Sequence, residues 1–296
     1  MILNVVLSVL GGLGLWFGFE FGKDLKNNSD QFEEHTDWTT AGLIGMVTNF
    51  FDTLGIGSFA PTTALLRTFD QIKDQYLPGT LNVCCTIPVI AEAFIFISVI
   101  EVEIVTLVSM LVAATLGAWI GAGVVANLPE KKVQYGMAIA LFVTALFMFL
   151  GQTGLMPVGG EALGLQGIKL VVAVVGNFIL GALMTLGIGL YAPCMALIYM
   201  LGMSPRVAFP IMMGSCAFLM PVASVKFIKE GAYNRKISLA ISILGLVGVF
   251  VAAYIVKSLP LNILTWLVIG VVLYTSITMF KEAIGNEEVK EEEVVS

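Results

Sequence analysis

The stretches "TLGIGSFAPTTAL" at residues 53–65 and "TLGIGLYAPCMAL" at residues 185–197 decide how this chain is read. They agree at nine of thirteen positions, at a constant offset of 132. Glycine and proline are the poorest residues for a helix interior, yet each copy lies inside strongly apolar sequence. Around the second copy, residues 170–205 run for 36 positions without a charge. One straight helix of that length would measure about 54 Å, against a hydrocarbon core of about 30 Å. The run is too short for two full spans with a turn. Around the first copy, Asp52 is the only charge between residues 38 and 66. Each segment is therefore expected to be a descending arm, a break at the motif and a short returning arm.

The rest of the chain supplies the solvent for this reading. Of its 296 residues, 58% are hydrophobic and 12% charged, with a mean hydropathy of +0.94. An ordinary globular domain is about 25% charged, so the composition excludes a soluble domain and implies a polytopic membrane protein. Its apolar runs are continuous rather than alternating, which implies an all-α protein and excludes a membrane barrel. Segments are expected near 1–22, 38–67, 79–99, 102–127, 133–157, 168–203, 207–228, 236–257 and 260–281. The first reads as a retained helix, since it lacks the basic leader and cleavage site of a signal peptide. The net charge of −6 is concentrated in "KDLKNNSDQFEEHTD" (23–37) and "NEEVKEEEVVS" (286–296). Both read as solvated, the tail as disordered, and no basic patch suits a nucleic acid. Cys84, Cys85, Cys194 and Cys216 all fall in apolar segments, and the single histidine, His35, lies in the acidic loop. No disulfide framework, metal site or other cofactor is expected.

Charge also orients the segments. The basic loops "LPEKK" (128–132) and "KFIKEGAYNRK" (226–236) belong on the cytoplasmic side. They share a side only if segment 168–203 enters and returns, so charge and length give the same re-entrant hairpin. Each motif segment is then followed by three spans, an odd number, and two such halves in series have opposite orientation. That is an inverted-topology repeat, an architecture of secondary transporters. The expected division is an extra N-terminal helix with the acidic loop (1–37), a first repeat (38–157), a connecting loop (158–167), a second repeat (168–281) and a cytoplasmic acidic tail (282–296), with the N-terminus outside.

Backbone groups freed by a helix break are tolerated in a membrane only where protein or a water-filled cavity surrounds them. Two breaks related by inverted symmetry meet near the midplane. A short helix is expected to start near Pro61 and near Pro193, aiming the amides of 62–64 and 194–196 at one site, an anion cradle. Gly55, Gly57, Gly187 and Gly189 would admit close backbone approach. Thr53, Ser58, Thr62, Thr63, Thr185, Tyr191 and Cys194 lie in or beside the motifs, and Asn82, Cys84, Cys85, Thr86, Ser215 and Cys216 in the helices that follow. All are neutral hydrogen-bonding groups suited to replacing the water of a small oxyanion. Helix packing is the plainer role for any one of them.

These residues carry a resemblance. The two hairpin motifs, "LPGTLN" at 77–82 and "GMSPRVAFPIMMGSCAFLMPVASVKFIKEGAYNRK" at 202–236 resemble the sulfite exporter TauE/SafE family of membrane permeases, over about residues 40–280. The resemblance implies transport of a small sulfur-containing anion, such as sulfite or an organosulfonate, across a bacterial inner membrane. Many members have three adjacent glycines in the first motif, where this chain has Gly55-Ile56-Gly57-Ser58, so substrate and direction stay open.

Asp52 and Glu92 are the acids inside expected spans, candidates for proton coupling or for ordering the break. Arg67 and Arg206 follow the motifs at comparable distances and are candidates for drawing anions to two entrances, helix-end anchoring being the plainer role. No nucleotide-binding loop is present. The reading is a secondary transporter, not an enzyme, working by alternating access. A passive anion channel and a membrane enzyme using Cys84 or Cys85 are the alternatives.

Overall fold

The computed structural model describes residues 2–30, 32–156, 159–254, 266, 269–270, 272–281 and 283–284. The expected tail (282–296), apart from 283–284, and part of the last expected span (260–281) lie outside them. The described residues are helical: α1 Ile2–Asn27, α2 Trp38–Thr53, α3 Phe59–Thr68, α4 Leu77–Val99, α5 Ile104–Val125, α6 Glu130–Gln152, α7 Gly167–Met184, α8 Tyr191–Met200, α9 Pro205–Glu230 and α10 Arg235–Tyr254, with residues 272–281 helical after them. Seven of the described helices are long and apolar enough to cross a membrane. The protein is an all-α, multi-pass membrane protein. Helix α1 runs five residues past the expected end, to Asn27.

Helix α9 is the centre of the bundle: 89% of its most apolar window is buried, against 22% for α1 and α7. Around it α4 packs on α9, α5 on both α7 and α9, and α10 on both α2 and α4. Small residues let these backbones close. A Cβ at Gly248 of α10 would lie 2.1 Å from the Met46 carbonyl oxygen of α2, and one at Gly117 of α5 would lie 2.0 Å from that of Phe178 in α7. Proline inside α4 shows how a membrane core settles a broken hydrogen bond. Pro88 cannot donate to the carbonyl of Cys84, and Ser242 Oγ of α10 donates to that carbonyl at 3.1 Å.

Polar networks tie the helix ends into two faces. On the first, Asp37 caps α2 by accepting from the Thr40 amide, and Gln71, just past α3, accepts from the Asp37 amide at 2.7 Å. Arg67 donates to both oxygens of Asp74, which also accepts from Gln134. The Glu33 carboxylate accepts from the first amides of α10, at Arg235 and Lys236, where the helix dipole favours an anion. Asp24 accepts from Tyr233 and Arg235, and burial with that neighbour pushes the Tyr233 phenol up. On the second face, Glu103 caps α5 by accepting from the Val105 and Thr106 amides and the Thr106 hydroxyl. Those bonds, the Thr106 hydroxyl first, hold its carboxyl below the usual range. Residues 160–163 hydrogen-bond to Met203, Ser204 and Glu103 there, and Lys169 at the start of α7 donates to the Leu201 carbonyl just past α8.

Candidate functional site

Each motif copy ends one helix and begins another. Past α2, the Gly55 amide donates to Asp52 and that of Ile56 to Phe51, a tight turn that takes Gly55 to φ 89° and Gly57 to φ 92°. Only glycine occupies that region without strain. Past α7, Gly187 does the same, at φ 105°, its amide donating to Met184. Gly189 stays out of the left-handed region, and its place is in a cavity wall.

The short helices start near the prolines, as expected: α3 begins at Phe59 and α8 at Tyr191, so Pro61 and Pro193 are third residues, within the first turn. The expected amide donors are corrected. The Thr62 and Cys194 amides are already spent on the carbonyls of Ser58 and Leu190. The third position tolerates proline for the same reason as the first, since a first-turn N–H has no acceptor within the helix. The donors left over are the amides of Phe59 and Ala60 in one helix and of Tyr191 and Ala192 in the other.

All four of these residues line one cavity between the two breaks, with Asp52 near the end of α2, Ile56, Gly57 and Ser58 from the first copy, and Gly189 and Leu190 from the second. Val89 of α4, Thr144 of α6, Met184 of α7 and Cys216 of α9 complete the wall. The space amounts to about 420 Å³, of which the centre of a water molecule can occupy about 20 Å³. That is room for about one water. Phe209 of α9 lies against Gly55, its nearest ring carbon 3.2 Å from where a Cβ would be, and stacks on Phe96 of α4 with centroids 5.5 Å apart.

Two carboxyl groups stand at the cavity. Glu92 is fully buried and bridges the copies: its Oε1 lies 2.9 Å from the Thr53 hydroxyl, and its Oε2 accepts from the Tyr191 phenol at 2.9 Å. Asp52 is 2% exposed, sits beside Ser58 and Tyr191, and has Oδ2 buried without a hydrogen-bond partner.

The other sequence candidates divide into near and far. Cys85 lies against the Ser58 hydroxyl, Sγ to Oγ 3.7 Å, just behind the wall. Thr62 donates to Thr48; Thr63, Thr86 and Thr185 donate to carbonyls three or four residues back in their own helices, and Asn82 donates to Pro78. Ser215 accepts from Asn177, and Cys194 Sγ lies 3.7 Å from Asn177 Oδ1. None of these seven lines the cavity. Arg67 is paired with Asp74 in a separate polar recess on the first face, while Arg206 is exposed at the start of α9, near the second. Sequence reasoning missed the amides of residues 59–60 and 191–192, Thr144 and the Phe96–Phe209 stack. A lone threonine in an apolar span and two phenylalanines 113 apart in sequence carry no signal of proximity.

No curated protein and no solved structure matches the chain. A protein family described as Sulfite exporter TauE/SafE matches residues 1–148 and 169–295, nearly the whole length. With its apolar multi-helix architecture and that match, the chain belongs to the Sulfite exporter TauE/SafE family and is a membrane transporter, not an enzyme.

Proposed function

We propose that the protein is a secondary permease that moves a small sulfur-containing anion, such as sulfite or an organosulfonate, by alternating access, holding it between the two helix breaks. One observation carries this reading: α3 and α8, begun by two copies of one motif, present their first-turn residues to a single cavity. A helix N-terminus favours an anion through its free amides and its dipole, and two of them converge here. Ser58, Tyr191 and Thr144 add hydroxyl groups, and the described residues put no lysine or arginine in the wall, which leaves the anion free to depart.

The architecture we infer is an inverted repeat, residues 38–157 against 168–281. The start of α2 and the end of α3 join the same polar face, and the start of α7 and the end of α8 join the other. The packing repeats as well. If α2 corresponds to α7 and α5 to α10, then α2 on α10 and α7 on α5 are one contact made twice, and each half holds the hairpin of the other. The basic loops 128–132 and 226–236 put the first face in the cytoplasm. Room for about one water is too little for a continuous aqueous path, which favours a carrier over an open pore, and Asp52 and Glu92 are the groups to couple transport to protons.

The test is a thermal-shift and calorimetric screen of purified protein against sulfite, thiosulfate, sulfate and sulfoacetate, with Gly189→Leu alongside. At least one anion is expected to bind and stabilise the wild type, and Gly189→Leu to fold normally and lose that binding at least tenfold. Equal affinity in both proteins would remove the cavity from the account.

A further inference from the structure

An anion cradle with carboxyl groups in and behind its wall raises a question of charge. Resting on the cradle reading, we propose that the anion binds together with a proton taken up at the Asp52–Glu92 pair, with Asp52 the group that switches, so that anion and proton cross the membrane in the same direction.

The argument starts from the partners of each carboxyl group. Glu92 has both oxygens engaged, on Thr53 and on Tyr191. Thr53 has a single hydroxyl proton but two oxygens within 2.9 Å, Glu92 Oε1 and the Asn49 carbonyl. A proton on Glu92 completes that set: Glu92 donates to Thr53, and Thr53 donates to Asn49. Asp52 is different. Its Oδ2 is buried with no partner, and the residue lines the cavity beside Ser58. A carboxylate there competes with an incoming anion for the same donors and repels it across a short, poorly screened distance. A carboxylic acid does neither, and its proton gives the anion one more donor.

Among the described residues, the surroundings offer no cation to take the proton's place. The titratable groups that face Asp52 are Glu92 and Cys85 of α4, Tyr191 of α8 and Cys216 of α9. The basic residues of α3 and α10, the other helices packed on α2, stand at the far face: Arg67 on Asp74, Arg235 on Asp24 and Lys236 on the Glu33 carbonyl. Neither Asp52 nor Glu92 has an ion-pair partner among the described residues. A proton is therefore the counter-charge that the site can recruit, and recruitment with an anion gives cotransport in one direction.

The experiment titrates thiosulfate, which stays fully ionised from about pH 5 to pH 8, into purified protein in weak buffer, with a pH dye and calorimetry in buffers of different ionisation enthalpy. About one proton is expected to be taken up per anion bound, with affinity falling about tenfold per pH unit on the alkaline side, the slope that one linked proton imposes. Asp52→Asn, checked for a wild-type elution profile, is expected to bind thiosulfate at pH 8 more tightly than wild type while taking up no proton. Glu92→Gln is expected to keep the uptake. Binding with no proton uptake and no pH dependence in the wild type would overturn this inference and leave the cradle standing. Sulfite, thiosulfate, sulfate and sulfoacetate all failing to bind at any pH would overturn the cradle, and the inference with it; if thiosulfate alone fails, the same titration is run with sulfate or sulfoacetate, whichever binds.

Discussion

Glu92 is where the two copies of the motif touch, through Thr53 of one and Tyr191 of the other. Glu92→Ala would leave the Tyr191 hydroxyl unpaired in the core, at a cost of about 1–3 kcal/mol. A lowered thermal midpoint in detergent, with Glu92→Gln much closer to wild type, checks this; equal midpoints for all three proteins would show that the bridge does not hold the copies together. Glycine has two separate uses at the breaks. Gly57 sits at φ 92° with open space around it, so Gly57→Ala is a backbone lesion of about 1–2 kcal/mol. Gly189 has ordinary backbone and faces Thr144 across the cavity, 3.8 Å from where its Cβ would be, so Gly189→Leu is a steric lesion. At this scale the sequence was half legible. Asp52 and Glu92 stood out because charge is rare in apolar segments. The small hydroxyls did not separate: Thr62, Thr63 and Thr86 read like Ser58, and only a rotamer decides whether a hydroxyl turns back on its own helix or into a cavity.

Among the elements, the broken segments were the most legible part of the chain, because a length that fits neither one span nor two leaves few foldings. The prolines located the short helix starts to within two residues, since proline marks a whole first turn rather than one position in it. Less legible was which helices meet, as nothing in the order of the chain pairs α2 with α10 or α5 with α7. Gly248→Val and Gly117→Val would each drive a side chain into a backbone carbonyl of the partner helix, costing about 3 kcal/mol or more. Each should lower yield and thermal midpoint far more than Gly18→Val, whose Cβ meets nothing within 4 Å. The cap on α5 has a pH signature. Glu103 is held below the usual carboxylate range, so its contribution is full above the ordinary glutamate value of about 4.3 and is lost as pH falls through the lower folded value. Glu103→Gln should lower the thermal midpoint at pH 6 and converge with wild type toward pH 3; a constant gap would show that the cap does not act through its charge.

For the whole molecule, the account is of two oppositely oriented halves around one site. Cysteines introduced at Ser29 and at Glu161 should then react with an impermeant maleimide from opposite sides of the membrane, the first from the cytoplasm and the second from outside. Labelling of both from one side would break the inverted topology. Composition and the continuous apolar runs made the all-α, multi-pass class legible in the sequence, because a bilayer restricts a chain so strongly. They did not carry the dimensions of the cavity, which depend on how a dozen side chains from seven helices and two turns fill the gap. The most direct measurement is anomalous diffraction from crystals soaked in selenite, the heavier congener of sulfite. The account predicts a selenium peak between the Phe59–Ala60 and Tyr191–Ala192 amides, beside Asp52; a peak confined to the recess at Arg67, with that gap empty, would contradict it.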